Sequence, residues 1–456
     1  MAQAQTVDVS RIIDERGVTW FNIRLVIFGF FIVLVDGYDI TAMGFAAPSL
    51  IRVWGITDQS TLGPVLGASL IGMLFGAPIL GMIGDRFGRK KAIVSSCLIF
   101  GVFTWLAVLA NSLPQLFVLR LIAGIGIGGL MPNIIALTAE FAPRRYRATM
   151  VIVMFTGVSF GGAIPGVVSA LLVPNYGWPI LFTIGGIIPV VTAFACVIGL
   201  PESIKYLVVR KEQRRVARLM IALEPTRAFP PNSEFIIQDE KQHPGISPKY
   251  LFRDGLGLIT PLLWVLFVLN LMGYFFLVSW TPVLLSSANI PLGKAALAQS
   301  LFQFGGAIGG WILCRPMDTK GLTPIAILFV IAIPAVALIG YLGTISEPLL
   351  MIAEFFAGFC VLGGQFGLNA VSALIYPTSF RSKGAGWALG IGRIGSIVGP
   401  ILGGVLIATH LPVQLLYVLA AIPFAIGAVA CFVLARLYFR RFAGAGMGQR
   451  ETFERG

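Results

Sequence analysis

The sequence predicts an all-α integral membrane protein, with twelve transmembrane helices in two pseudo-symmetric six-helix bundles. Three observations carry that expectation. The 456 residues are 57% hydrophobic and only 12% charged, about half the charged share of an ordinary soluble domain. The chain contains twelve apolar runs of the roughly 20-residue length that a bilayer demands. Residues of the first half also recur in the second at a near-constant spacing.

Composition excludes several classes outright. Mean hydropathy is +0.89, too apolar for a soluble or disordered chain. Five cysteines (Cys97, Cys196, Cys314, Cys360, Cys431) are too few for a disulfide scaffold and all lie in apolar stretches, where a thiol acts as a small hydrophobe. There is no CxxC, no HExxH and only two histidines, so no metal and no cofactor is expected.

The apolar runs fall at about 22–44, 61–82, 92–110, 114–138, 148–173 and 178–199, then 260–285, 295–314, 324–343, 347–372, 384–407 and 412–437. Net charge is +13, and its placement sets the orientation. Of 33 Lys and Arg, Arg52 and Lys294 fall in loops on one side and Arg120 and Arg393 within spans, which leaves 29 for the other side. Positive residues mark the cytoplasmic face. A multi-pass protein with both termini cytoplasmic follows, its excess charge facing the cytosol and anionic headgroups, with no nucleic-acid partner. Met1–Trp20 has no apolar core or small-residue cleavage site and does not read as a signal peptide. The expected units are a cytoplasmic segment 1–21, a bundle 22–199, a cytoplasmic linker 200–258, a second bundle 259–438 and a tail 439–456. The linker holds the basic run Arg210–Arg215, which suggests a helix or two.

The internal repeat is read residue by residue. Gly37-Tyr38 matches Gly273-Tyr274, offset by 236; Ala123-Gly124 matches Ala357-Gly358, offset by 234; Gly128-Gly129 matches Gly363-Gly364, offset by 235. Asn133 matches Asn369, and Pro165 matches Pro400. Two parallel repeats around a central site are a design of secondary transporters. Asp36-Gly37-Tyr38-Asp39 faces Met272-Gly273-Tyr274-Phe275, so the Gly-Tyr reads as scaffold and the two aspartates as a functional addition to the first half.

An ionisable group at membrane depth is costly and marks function by default. Five stand out: Asp36, Asp39, Arg120, Glu354 and Arg393. Asp36 and Asp39, at i and i+3, share a helix face, and two carboxylates so close resist ionising together, which suits a proton carrier. A structural pair held by a cation is the plainer reading. If span 1 ends near Ala47–Pro48, Asp39 is roughly 12 Å deep and Arg120 roughly 9–12 Å deep, so the two can pair. Glu354 holds the corresponding place in span 10, as a structural cap or pair or as a functional acid. Arg393, in the run Gly390–Ser396, sits near the midplane. Its planar fork matches a carboxylate, either of a ligand or of a buried acid such as Glu354.

The residues also carry a family resemblance. Gly81-Met82-Ile83-Gly84-Asp85-Arg86-Phe87-Gly88-Arg89-Lys90 resembles the loop 2–3 signature of the major facilitator superfamily, with a degraded copy at Arg315-Pro316-Met317-Asp318-Thr319-Lys320-Gly321. Asp36–Asp39, Tyr376-Pro377-Thr378-Ser379-Phe380-Arg381 and Gly386–Arg393 resemble the aromatic acid/proton symporters of that superfamily. The resemblance runs from about Trp20 to Phe439, and departs at Cys314-Arg315-Pro316, where a glycine and no proline is usual. It implies a bacterial inner-membrane carrier that imports a hydroxybenzoate-type acid with protons by alternating access, and no enzyme. It further implies that Asp85 caps span 11, near Gly384, in the outward-open state. There a carboxylate meets free N–H groups at a helix N-terminus. Arg86, Arg89, Glu140, Arg144, Arg145, Asp318 and Arg381 would complete the cytoplasmic gate.

The expected roles follow. Asp36, Asp39 and Arg120 couple protons; Arg393 binds the substrate carboxylate, with Tyr274, Phe302, Gln303 and Asp39 around the ring. The expected partners are a small aromatic acid, protons and the lipid bilayer, and the working unit is a monomer. A symporter of a non-aromatic carboxylate such as muconate and a drug/proton antiporter stay open within the class. A transporter-like membrane sensor is the reading from another class, although 201–255 and the short tail leave little room for a signalling domain.

Overall fold

The computed structural model describes residues 6–143, 145–224, 234–236, 251–252, 256–320, 322–376 and 381–441. A short strand β1 (Thr6–Asp8) and helix α1 (Val9–Glu15) precede six long helices: α2 (Trp20–Trp54), α3 (Leu62–Phe87), α4 (Arg89–Leu106), α5 (Leu113–Phe141), α6 (Arg147–Tyr176) and α7 (Pro179–Gly199). The linker contributes α8 (Ile204–Val209), α9 (Gln213–Leu223) and strand β2 (Glu234–Ile236). The second half is α10 (Ile259–Ser287), α11 (Leu292–Lys320), α12 (Thr323–Ala337), α13 (Ile339–Ile345), α14 (Glu347–Ile375), α15 (Arg381–Ala408) and α16 (Val413–Arg441).

Ten of the described helices are long and apolar enough to cross a bilayer, and α12 with α13, bent by 41°, together make one more. α11 has 29 residues, about 44 Å at ~1.5 Å per residue, and completes the set of twelve. Many lipid-facing side chains on these helices are large and apolar, such as Phe75, Val191, Phe194, Ile331 and Val429. This is the arrangement expected where the solvent is hydrocarbon and every backbone group is satisfied within its own helix.

The repeat is visible in the packing. α3 packs on α5 as α11 packs on α14; α2 packs on α6 as α10 packs on α15; α4 packs on α7 as α12 packs on α16. Small residues let the backbones close on one another. A Cβ on Gly72 would run into the Leu121 carbonyl, and one on Gly305, 233 positions later, into that of Phe355. Between the halves the main helix contacts are α6 with α11, α3 with α15 and α2 with α10. The glycines that mark them, including Gly44 on Val278, Gly63 on Ile401 and Gly166 on Ala296, lie towards the end away from the termini.

One boundary departs from expectation. The first span does not stop near Ala47–Pro48: α2 runs on to Trp54 and ends at Gly55, with Pro48 inside it and Arg52 in its last turn. Proline is tolerated inside membrane helices because neighbours re-satisfy the freed groups. The N-terminal segment and linker also meet: β1 and β2 pair in parallel, Thr6 against Glu234, and the Gln213 side chain brackets the Phe235 backbone.

Candidate functional site

The intramembrane charges gather around the junction of α2, α5, α10 and α15. Arg120 on α5 grips Asp39 on α2 with both prongs, Nη1 to Oδ1 at 2.6 Å and Nη2 to Oδ2 at 2.7 Å. Both side chains are 2% exposed. The guanidinium also lies 5.4 Å from the Phe182 ring centroid on α7, within cation–π range. A bidentate, desolvated pair of this kind is among the stronger charge contacts a protein makes.

Asp36, one turn earlier on the same face, is equally buried but makes no hydrogen bond or ion pair among the described residues, and its Oδ1 has no partner at all. It lies within electrostatic reach of Asp39 on its own helix and of Arg393 on α15 and Tyr274 on α10. The Arg393 guanidinium likewise has no partner among the described residues; only its backbone carbonyl is engaged, by Ser396 Oγ at 2.7 Å. An unpaired carboxyl of the first half thus faces an unpaired guanidinium of the second.

Tyr274 borders this space. Its hydroxyl and the Gln303 side chain on α11 exchange hydrogen bonds of 3.3–3.4 Å. Its ring stacks on Phe302 with centroids 6.1 Å apart and an interplanar angle of 30°. Phe302 itself is wholly buried, with Gly358 pressed on its backbone, so it backs the Tyr274 ring from behind. Gln303 also reaches the first half, where Gly162 leaves room for its amide and the Gly162 carbonyl accepts from the Thr41 hydroxyl at 3.0 Å.

Glu354 stands apart from these groups. It is 1% exposed, both carboxylate oxygens lack partners, and its neighbour is Tyr417 on α16. No pairing with Arg393 is present. Its repeat relation to Arg120, an offset of 234, is kept in space: Tyr417 stands where Phe182 stands in the first half, offset by 235.

At the basic end, Gly88 (φ +108°) makes the one-residue turn between α3 and α4, a backbone state that favours glycine. Just beyond it, Arg89 bridges Asp85 at 3.1 Å and Glu140 at 2.8 Å. Glu140 also accepts from Ser203 Oγ at 2.6 Å, and Glu202 accepts from the backbone N–H of Lys90 and of Ser203 at 3.1 and 2.9 Å. The Arg86 carbonyl accepts from Arg210, and Arg145 donates to the Arg16 carbonyl. Asp85 is exposed and, among the described residues, its ion-pair partner is Arg89 rather than the start of α15, whose Gly384 packs on Tyr376. The halves are joined at the opposite end, through α6 with α11, α3 with α15 and α2 with α10. Arg144 and the side chains of Asp318 and Arg381 lie outside the described residues.

Sequence reasoning did not single out Ser203, Glu202 or Phe182. Ser203 was legible: Pro201-Glu202-Ser203 closes a span and opens a helix, and Ser is a favoured N-cap; here its Oγ accepts from the Tyr206 N–H. Phe182 carries no local signal.

Comparison with known proteins places the arrangement. Residues 29–368 match the Major Facilitator Superfamily. The chain belongs to that superfamily. It is 36% identical over 444 residues to the 4-hydroxybenzoate transporter PcaK of Pseudomonas putida, covering 95% of this chain and 98% of that one. It is 34% identical over 422 residues to a gallate transporter of Pseudomonas putida, covering 91% and 92%. In fold it resembles a bacterial homologue of the lysosomal transporter Spinster, with a TM-score of 0.71 at 16% identity over 94% of this chain and all of that one. The chain is therefore a multi-pass membrane transporter and not an enzyme, and stands in a branch whose members are named as aromatic-acid transporters.

Proposed function

We propose that this protein is a proton-coupled importer of a hydroxybenzoate-type acid, working by alternating access in a bacterial inner membrane with its basic end in the cytosol. The observation that carries the reading is the unpaired Arg393 guanidinium facing the unpaired Asp36 carboxyl inside the membrane. A free cation at that depth is costly and offers an anion a two-pronged seat. The aromatic acids named for the relatives supply such an anion, and the Tyr274 ring and Gln303 amide supply a stacking face and a hydrogen-bonding group beside it.

The same geometry supplies the coupling. A substrate carboxylate seated on Arg393 brings a second negative charge to Asp36, and a proton on Asp36 removes the repulsion. Asp39 is the slower partner because Arg120 holds it, and its protonation would release Arg120 and loosen α2 from α5. The ion pairs around Arg89 and the cap offered by Asp85 would then hold the basic end closed in the opposite state, and the working unit is a monomer.

Uptake of labelled 4-hydroxybenzoate, gallate and muconate into vesicles bearing the purified protein, with and without an imposed proton gradient, tests this. Gradient-dependent accumulation of the aromatic acids is expected. Accumulation indifferent to the gradient, or confined to muconate, would overturn it.

A further inference from the structure

The linker helix α9 reads Gln-Arg-Arg-Val-Ala-Arg-Leu-Met-Ile-Ala-Leu. It buries Val216, Met220 and Leu223 and leaves Arg214, Arg215 and Arg218 exposed. It lies beside the basic ends of α4 and α7, and a cavity of about 640 Å³ remains between the three. Two kinds of wall meet there. One carries four cations: Lys90 and Lys91 from the first turn of α4, and Arg215 and Arg218 from α9. The other is apolar and includes Leu98 and Val197, 37% and 50% exposed on the outer faces of two membrane spans.

The cations are in excess. Lys90, Lys91 and Arg218 have no acidic partner among the described residues, and Arg215 has only the half-buried Glu212 at 2.9 Å. Glu202 is the one acid in the lining, and its Oε1 is committed to the backbone N–H groups of Lys90 and Ser203. A soluble anion would satisfy the cations and leave the apolar wall unused. A zwitterionic lipid would fill the wall and leave the charge in excess.

We propose that this cavity binds one anionic phospholipid. Its phosphate sits among Lys90, Lys91, Arg215 and Arg218, and its acyl chains lie along Leu98 and Val197. Basic pockets between membrane helices on the cytoplasmic side suit such headgroups. Because the four cations come from two elements, the lipid clamps the linker helix to the first half, beside the Arg89–Glu140 ion pair. The proposal rests on this surface alone and is independent of which substrate is carried.

Native mass spectrometry of the full-length protein, delipidated and titrated with phosphatidylglycerol, with phosphatidylethanolamine of the same chains, or with inorganic phosphate, tests it. One tightly retained phosphatidylglycerol is expected, with phosphatidylethanolamine and phosphate retained far less. Substituting Lys90, Lys91, Arg215 and Arg218 by Gln should weaken retention roughly fivefold per cation, whereas Arg436→Gln with Arg440→Gln at the other half's basic end should not. Equal retention of the two lipids by the wild-type protein overturns the proposal, whether or not the fourfold variant folds. So does phosphate that displaces the lipid at low concentration, or a folded fourfold variant that keeps wild-type retention.

Discussion

Arg120 and Asp39 form a two-pronged ion pair, at 2.6 and 2.7 Å, with both side chains 2% exposed. In the second half the corresponding positions hold Glu354 and Phe275, so the ion pair has no counterpart there. The symmetry of the bundles is broken where charge is buried, and the first half alone carries a locked acid beside an unpaired one.

Removing one partner of a buried pair leaves an uncompensated charge, at a cost of about 3–5 kcal/mol. Arg120→Ala should therefore lower thermal stability of the detergent-purified protein markedly. The double variant Asp39→Asn/Arg120→Gln should recover most of the loss, since two amides of similar shape leave no net charge. Melting curves of the three proteins check this; a double variant no more stable than Arg120→Ala would mean that packing, not pairing, sets the effect.

At the substrate anion, Arg393→Lys should keep the charge and lose the fork, while Arg393→Ala should lose both. Truncation at a buried charged contact costs on the order of 2–5 kcal/mol, or roughly 30-fold and upward in affinity. Titration calorimetry with 4-hydroxybenzoate and its neutral amide reads the effect. The amide should bind the wild type poorly and be almost indifferent to Arg393→Ala. A variant that still separates acid from amide as the wild type does would place the carboxylate elsewhere.

The gate gives a contrasting expectation. Asp85 is exposed and its ion-pair partner among the described residues is Arg89, so Asp85→Asn should leave substrate affinity within about twofold, a few tenths of a kcal/mol for a surface pair. Uptake should slow, because the closed state that Asp85 would cap is then less favoured. Affinity and initial uptake rate, measured on one preparation, separate the two. Undiminished uptake would remove Asp85 from the gate.

Much of this was legible in the chain. Length and apolarity announce the spans, and the offsets of 234–236 announce the two halves, because each repeat must bury equivalent faces. Gly72-x-x-x-Gly76 and Gly305-x-x-x-Gly309 were equally readable as close-packing faces. The Asp39–Arg120 pairing could be framed as a depth argument, although α2 outruns the end on which that argument relied. Asp39 lies about 22 Å from Trp54 at ~1.5 Å per residue, and α5 simply meets it lower down. What stays hidden is what depends on distant backbone: Phe182 under Arg120, and three-residue strands whose partners are 228 positions apart (Thr6 and Glu234). Short strands and single ring contacts leave no period in a sequence.

Proton coupling through Asp36 is read most directly in vesicles holding wild type or Asp36→Asn, with labelled 4-hydroxybenzoate followed in two modes. One mode is exchange at equal pH on both sides, which moves no net proton; the other is accumulation against a gradient, acid outside. Wild type should do both, and Asp36→Asn should exchange but not accumulate, because an amide seats beside Arg393 yet carries no proton. Accumulation by Asp36→Asn to the wild-type level would contradict the role of Asp36, and the same result in Asp39→Asn would remove the pair from coupling altogether.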